Sequence, residues 1–252
     1  MNAEHVAQLD DRFAHRPTLL RAANAYSLRG HSIGGFGSVT TNKFLASILG
    51  ELFGKYVQAY PLYGSEKKGL PTTYYLTIAD EPIRIHAELE QVEFVPLYDV
   101  AAFRQGDPLA GLVDGGTIFL QSPLTDPEAI WASIPAATRA EMLARRIQLW
   151  ALDTAALARE HSPRADLIVR MQGVALVGVF LRVSPFAARA GLDRETLKDE
   201  VHKALYRFFG KRGGAVVEAN AAVISEAYDS VIDVTAAVTG TAPVPVAAEA
   251  AR

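Results

Sequence analysis

The sequence predicts an α/β protein, a Rossmann-like, mostly parallel sheet with a helical C-terminal part. Three observations predict it. Short segments rich in β-branched and aromatic residues alternate with helical or turn-like pieces up to Thr154, which is the pattern of strands joined by crossovers. A glycine-rich stretch from Ser27 to Leu45, SLRGHSIGGFGSVTTNKFL, leaves a strand and enters a helix. From Ala165 to Asp229, three long stretches carry apolar residues at helical spacing.

Taken in order, residues 4–22 read as a polar helix or arm, so the N-terminal arm is placed at 1–24 and the domain at 25–234. Ala25 to Arg29 reads as the first strand. TTNKFLASILGELFG follows as a helix, with Phe44, Leu45, Ile48, Leu49 and Leu52 on its apolar side and a stop at Gly54. KYVQAYPLY and TTYYLTIADEPIRI read as strands separated by the loop GSEKKGLP. VEFVPLYD, then GTIFLQS after a turn VDGG, then RIQLWALDT complete the strands. The helical part comprises DLIVRMQGVALVGVFLRV, DRETLKDEVHKALYRFFG and AVVEANAAVISEAYDSV. The first is apolar on most faces, so it belongs inside the domain or against another chain. Residues 235–252 have no aromatic and little periodicity, and read as a flexible tail.

Composition narrows the function. Of 252 residues half are hydrophobic and 21% charged, with a net charge of -3, so nothing points to nucleic acid as a partner. There is no cysteine, hence no disulfide, thiol nucleophile or iron–sulfur ligand in this chain. The most apolar run, Gly173 to Leu181, is far shorter than the roughly 20 residues a bilayer needs, and the N-terminus is no secretory signal. A cytoplasmic protein without a membrane partner is expected.

The glycine loop fails the dinucleotide test. A G-x-G-x-x-G fingerprint needs a third glycine and an acid about 20 residues on; here Gly35-Phe36-Gly37-Ser38-Val39-Thr40 lacks the glycine, and Gln58-Ala59-Tyr60-Pro61 lacks the acid. A nucleoside-triphosphate loop is absent too. Two readings stay open. The helix start, with its free backbone donors and the hydroxyls of Ser38, Thr40 and Thr41, holds an anion, or the glycines only permit a tight strand-to-helix turn.

Read together, Arg29 to Val39 (RGHSIGGFGSV), Pro61 to Gly69 (PLYGSEKKG), Ile78 to Ile83 (IADEPI), Ala151 to Ala155 (ALDTA), and Asn220 followed by Tyr228 resemble the γ subunit of the 2-oxoacid:acceptor oxidoreductases, pyruvate:ferredoxin oxidoreductase among them. The match covers residues 25–230, with Phe36 where the family commonly has glutamine. The resemblance implies an accessory subunit of a complex that oxidatively decarboxylates a 2-oxoacid, most simply pyruvate, to an acyl-coenzyme A, CO2 and a reduced acceptor. Thiamine diphosphate with its Mg2+ and the iron–sulfur clusters would belong to partner subunits, namely α, β and ferredoxin-like chains, with ferredoxin or another carrier as acceptor. Coenzyme A would be shared with them, through Gly34, Gly35, Gly37 and Ser38 of the glycine loop and Ser65, Lys67 and Lys68 of the lysine loop. Alternatives are a freestanding nucleotide-dependent dehydrogenase and a non-catalytic scaffold.

Other residues carry narrower expectations. Arg29 points to an anion in a cleft or pairs with a surface acid. His31 has a near-neutral ordinary pKa but no second catalytic group beside it, so no catalytic residue is named. The six histidines show no metal-ligand spacing and no metal site is expected. Asp153 caps the helix from Thr154, Asn220 bonds to a neighbouring loop, and Met171 and Phe180 lie in the core.

Overall fold

The computed structural model describes residues 24–33, 38–62, 71–84 and 89–240. Seven strands, β1 (Tyr26–Ile33), β2 (Tyr56–Leu62), β3 (Pro71–Ala79), β4 (Val92–Leu97), β5 (Leu112–Gln121), β6 (Gln148–Leu152) and β7 (Ile232–Asp233), form one sheet in the order β2-β3-β1-β4-β5-β6-β7. Ten α-helices are described: α1 (Ser38–Glu51), α2 (Ala102–Gln105), α3 (Pro127–Ser133), α4 (Ala136–Ala144), α5 (Thr154–His161), α6 (Ile168–Val183), α7 (Phe186–Arg189), α8 (Arg194–Phe209), α9 (Gly214–Ser230) and α10 (Val234–Thr239).

The four central strands β1, β4, β5 and β6 run parallel, whereas β3 is antiparallel to β1 and β2, and β7 is antiparallel to β6. The sheet is thus mixed, and mostly parallel at its centre. The connection from β2 to β3, residues 63–70, is too short for the dozen or more residues of a parallel crossover, so those two strands must pair as a hairpin.

Apolar residues alternate between the two faces of the central strands. On β5, Ile118 and Leu120 join one core and Phe119 the other; on β6, Leu149 and Ala151 oppose Trp150. Both faces are covered, which is why these strands read as nearly continuous apolar runs. The larger core lies under α1, α5, α6, α8 and α9, the smaller under α3 and α4 with Val234 of α10. Within the first, α6 is buried from Gly173 to Leu181, inside its own domain. Gly178 is the reason α9 can approach: a Cβ there would come within 2.2 Å of the Ile224 carbonyl oxygen. Phe180 is buried with its ring edge-on to Tyr26 and Phe94, and Met171 is buried too, both in the core as expected.

Two sequence readings are corrected. The segment VDGG is no turn between elements; it lies inside β5, where Gly115 adopts φ +74° and the register to β4 shifts between Val92 and Phe94. A positive φ within a strand is a bulge that glycine permits, and the local signal for bulge and turn is the same. The flexible tail placed at 235–252 begins too early, because the chain to Thr239 is helical and docked. Asp233 caps α10 by accepting from the Ala236 N–H at 2.9 Å, Val234 is buried, and Thr235 Oγ1 accepts from the Leu149 N–H at 2.8 Å. A six-residue helix offers too little periodicity to be read from sequence. Residues 1–23 and 241–252 lie outside the described residues.

Candidate functional site at the carboxyl edge of the sheet

The parallel strands β1, β4, β5 and β6 end on one edge, at Ile33, Leu97, Gln121 and Leu152, and in open α/β sheets ligands bind in the crevice outside such an edge. The glycine loop joins β1 to α1 there. Gly34, Gly35 and Gly37 lie outside the described residues, as do the Ser38 side chain, His31's side chain, and Ser65, Lys67 and Lys68 of the lysine loop. What is described is the frame that carries both loops.

On the β1 side the frame is aromatic. Gly30 pairs with Tyr74 across the antiparallel ladder, and the Tyr74 ring lies so close that a Cβ on Gly30 would come within 2.0 Å of its Cζ. Gly30 therefore serves packing: it makes room for a buried aromatic on the neighbouring strand. Burial raises the Tyr74 phenol well above its ordinary pKa, and the neighbouring Tyr98 phenol, just past β4, adds to the rise; burial likewise raises Tyr98. Both phenols are neutral structural groups at physiological pH. Asn42 of α1 donates to the Tyr75 carbonyl at 3.1 Å and ties the helix to β3.

On the β5–β6 side Gln121, Asp153 and Thr154 are engaged by one another and by the chain. Asp153 accepts from the Ala155 and Ala156 N–H groups at 3.0 and 2.9 Å and from Gln121 Nε2 at 3.1 Å. Gln121 Oε1 accepts from the Thr154 N–H at 2.6 Å and from the Thr154 hydroxyl. A carboxylate held by three donors at a helix start is a cap, as the sequence reading has it, and is poorly placed to act as a general base.

Among the described residues Arg29 pairs with main-chain carbonyls and with no acid. Its guanidinium donates to the Ala110 carbonyl at 2.6 Å and to that of Pro108 at 3.5 Å, clamping the loop before β5. Asn220 donates to the Val216 carbonyl one turn back on its own helix at 2.8 Å, in place of a neighbouring loop. The structure also assembles a group that spacing did not reveal: His161 lies 2.6 Å from Glu226, joining α5 to α9, and with Glu160 the three ligating atoms lie within 4.8 Å of one another. Two of these residues are adjacent in sequence and the third is brought in by the α5–α9 packing, so no local motif announces them.

Topology disposes of the dinucleotide reading more firmly than the missing glycine. In a Rossmann unit the ribose acid ends a parallel strand beside β1 that follows the first helix directly. Here the strand after α1 is β2, an outer antiparallel strand separated from β1 by β3.

Residues 27–230 match the family described as pyruvate ferredoxin/flavodoxin oxidoreductase, which takes in β1 through α9. The chain belongs to this family. Among relatives of the pyruvate ferredoxin/flavodoxin oxidoreductase family, a pyruvate-flavodoxin oxidoreductase of Nostoc is 25% identical over 229 residues, covering 90% of this chain and 18% of that protein. The chain thus spans under a fifth of the length of the pyruvate-flavodoxin oxidoreductases it matches first. The common γ subunit of the pyruvate/ketoisovalerate oxidoreductases of Thermococcus litoralis is 37% identical over 103 residues, covering 41% of this chain and 55% of that one. In structure, the chain is similar to a pyruvate oxidoreductase subunit from Thermotoga maritima, with a TM-score of 0.61 and 21% identity over 82% of this chain and 97% of that one. That likeness bears on the fold, and it bears out the α/β sheet read from sequence.

Proposed function

We propose that the chain is the γ subunit of a 2-oxoacid oxidoreductase complex, with pyruvate the simplest substrate, and is inactive alone. The observation that carries this reading is the family match over residues 27–230 in a chain that holds no cysteine. Iron–sulfur clusters need thiolates, so the redox centres must lie on other polypeptide, together with thiamine diphosphate and Mg2+. Ferredoxin or flavodoxin would take the electrons. The chain would then contribute coenzyme A binding and assembly, with Gly34, Gly35, Gly37 and Ser38 presenting backbone donors at a helix start and Lys67 and Lys68, beside Ser65, meeting phosphates.

Affinity purification from the native host tests the assembly: cluster-bearing and thiamine-bearing chains should co-purify, and the chain recovered without any partner would overturn the reading. The coenzyme A role has its own test. Changing Lys67 and Lys68 together to alanine should raise the Michaelis constant for coenzyme A in the assembled complex about tenfold or more, with a smaller effect at high salt, while decarboxylation without coenzyme A is unchanged. A parental Michaelis constant would remove the lysine loop from the site.

A further inference from the structure

Two histidine–carboxylate pairs hold α9 to its neighbours. His161 Nε2, at the end of α5, lies 2.6 Å from Glu226 Oε2, and His202 Nε2 of α8 lies 2.8 Å from Glu218 Oε1. Only the first pair gains a third donor. One ligating atom from each of Glu160, His161 and Glu226 lies within 4.8 Å of the other two, and among the described residues no other group of three converges in this way. A zinc-like ion binds imidazole nitrogen and carboxylate oxygen at about 2.0–2.2 Å, which sets neighbouring donors roughly 3.3 Å apart in a tetrahedron and opposed donors about 4 Å apart. Shifts of about 1 Å at the ends of these side chains bring the three donors to that spacing.

The electrostatics at this point are unbalanced. Glu160 is the seventh residue of the eight-residue helix α5, at the negative end of the helix dipole, where a carboxylate is disfavoured. It stands beside a second carboxylate, and like charges this close repel. His161 donates its Nε2 proton to Glu226 and so answers only one of the two acids. Among the described residues Glu160 has no ion pair or hydrogen bond, and Arg159 beside it pairs with neither acid.

We propose that Glu160, His161 and Glu226 form a binding site for a divalent transition-metal ion of the zinc class. The ion would take the place of the proton between His161 and Glu226, draw in the Glu160 carboxylate, and clip the end of α5 to α9. A set of one imidazole and two carboxylates favours such an ion over Mg2+ and Ca2+, which take oxygen donors. His161 and Glu226 also line a groove of about 480 Å³ between α8 and α9, so positions on that side of the ion would be open to water. This site goes beyond the coenzyme A reading, uses none of its residues, and is complete in the chain alone.

The test is equilibrium dialysis of the full chain against Zn2+, with Mg2+ and Ca2+ for comparison, and a thermal melt with and without each ion. One Zn2+ per chain should bind at least tenfold more tightly than Mg2+ or Ca2+, and should raise the melting temperature. Glu160→Gln removes an exposed side chain that makes no contact among the described residues, so it should leave the ion-free melt unchanged and weaken Zn2+ at least tenfold. His161→Ala should abolish the site, and His202→Ala, in the pair without a third donor, should leave Zn2+ binding as it was. No uptake of Zn2+ at about 1 mM would overturn the proposal. So would parental affinity in either Glu160→Gln or His161→Ala, which would put the ion at other histidines, or an equal loss in His202→Ala. With no partner subunit or coenzyme A present, the result is independent of the assembly and lysine-loop tests.

Discussion

Gly30 shows how a residue within a family motif can be fixed by packing. It sits among the glycines that the sequence offers for anion binding, yet the space above its Cα is filled by Tyr74. Gly30→Ala should therefore lose roughly 1–3 kcal/mol by overpacking in chemical denaturation, and Gly30→Ala with Tyr74→Leu should recover part of it. An unchanged midpoint for the single variant would mean the ring moves aside freely. The same scale explains what was legible. Asp153 was readable as a cap because capping is local, set by a carboxylate and the N–H groups two and three residues on. Arg29 was not, because its partners, Pro108 and Ala110, lie about 80 residues away and are main-chain carbonyls without any side-chain signature.

At the scale of elements, α10 is the instructive case. Its six residues are stabilised by the Asp233 cap, by burial of Val234, and by the Thr235 hydroxyl meeting the Leu149 N–H at the edge of β6. Ending the chain at Asp233 should expose the smaller core and leave a sheet N–H without its acceptor. With about 1.5–3 kcal/mol for the valine alone, and roughly 2–4 °C per kcal/mol in a chain of this size, the melting temperature should fall by several degrees. A chain ending at Gly240 keeps α10 and serves as the control. Equal melting temperatures for the two truncations would show that α10 contributes nothing. The long elements were legible for the opposite reason: α6, α8 and α9 are 16, 16 and 17 residues long, enough turns for the apolar spacing to repeat.

For the whole molecule, three phenols report on the integrity of the sheet. Tyr26 and Tyr74 are buried and Tyr98, just past β4, is half-buried with its hydroxyl out of water, and desolvation raises each above its ordinary pKa. The unfolded chain ionises its tyrosines near pH 10, whereas the folded chain resists. The stability held by the neutral phenols is complete below that pH and is lost as pH rises through and beyond it. Denaturation midpoints should therefore drop steeply above about pH 10, and Tyr74→Phe should blunt the drop. A midpoint that stays flat to about pH 11.5 would show that the phenols reach solvent.

By itself the sequence determined the fold class, the succession of strands and helices, the absence of thiolate chemistry, and the family, because each is written in periodicity, composition or the order of short motifs. Only the tertiary structure decided that β3 lies between β2 and β1 with reversed direction, that VDGG is a bulge within β5, that α10 closes the smaller core, and that Glu160, His161 and Glu226 converge where α5 meets α9. The physical reason is common to all four. Strand order, the fate of a positive-φ glycine, the docking of a short helix and the convergence of three donor side chains are set by contacts between residues far apart in the chain, and no local pattern of residues encodes them.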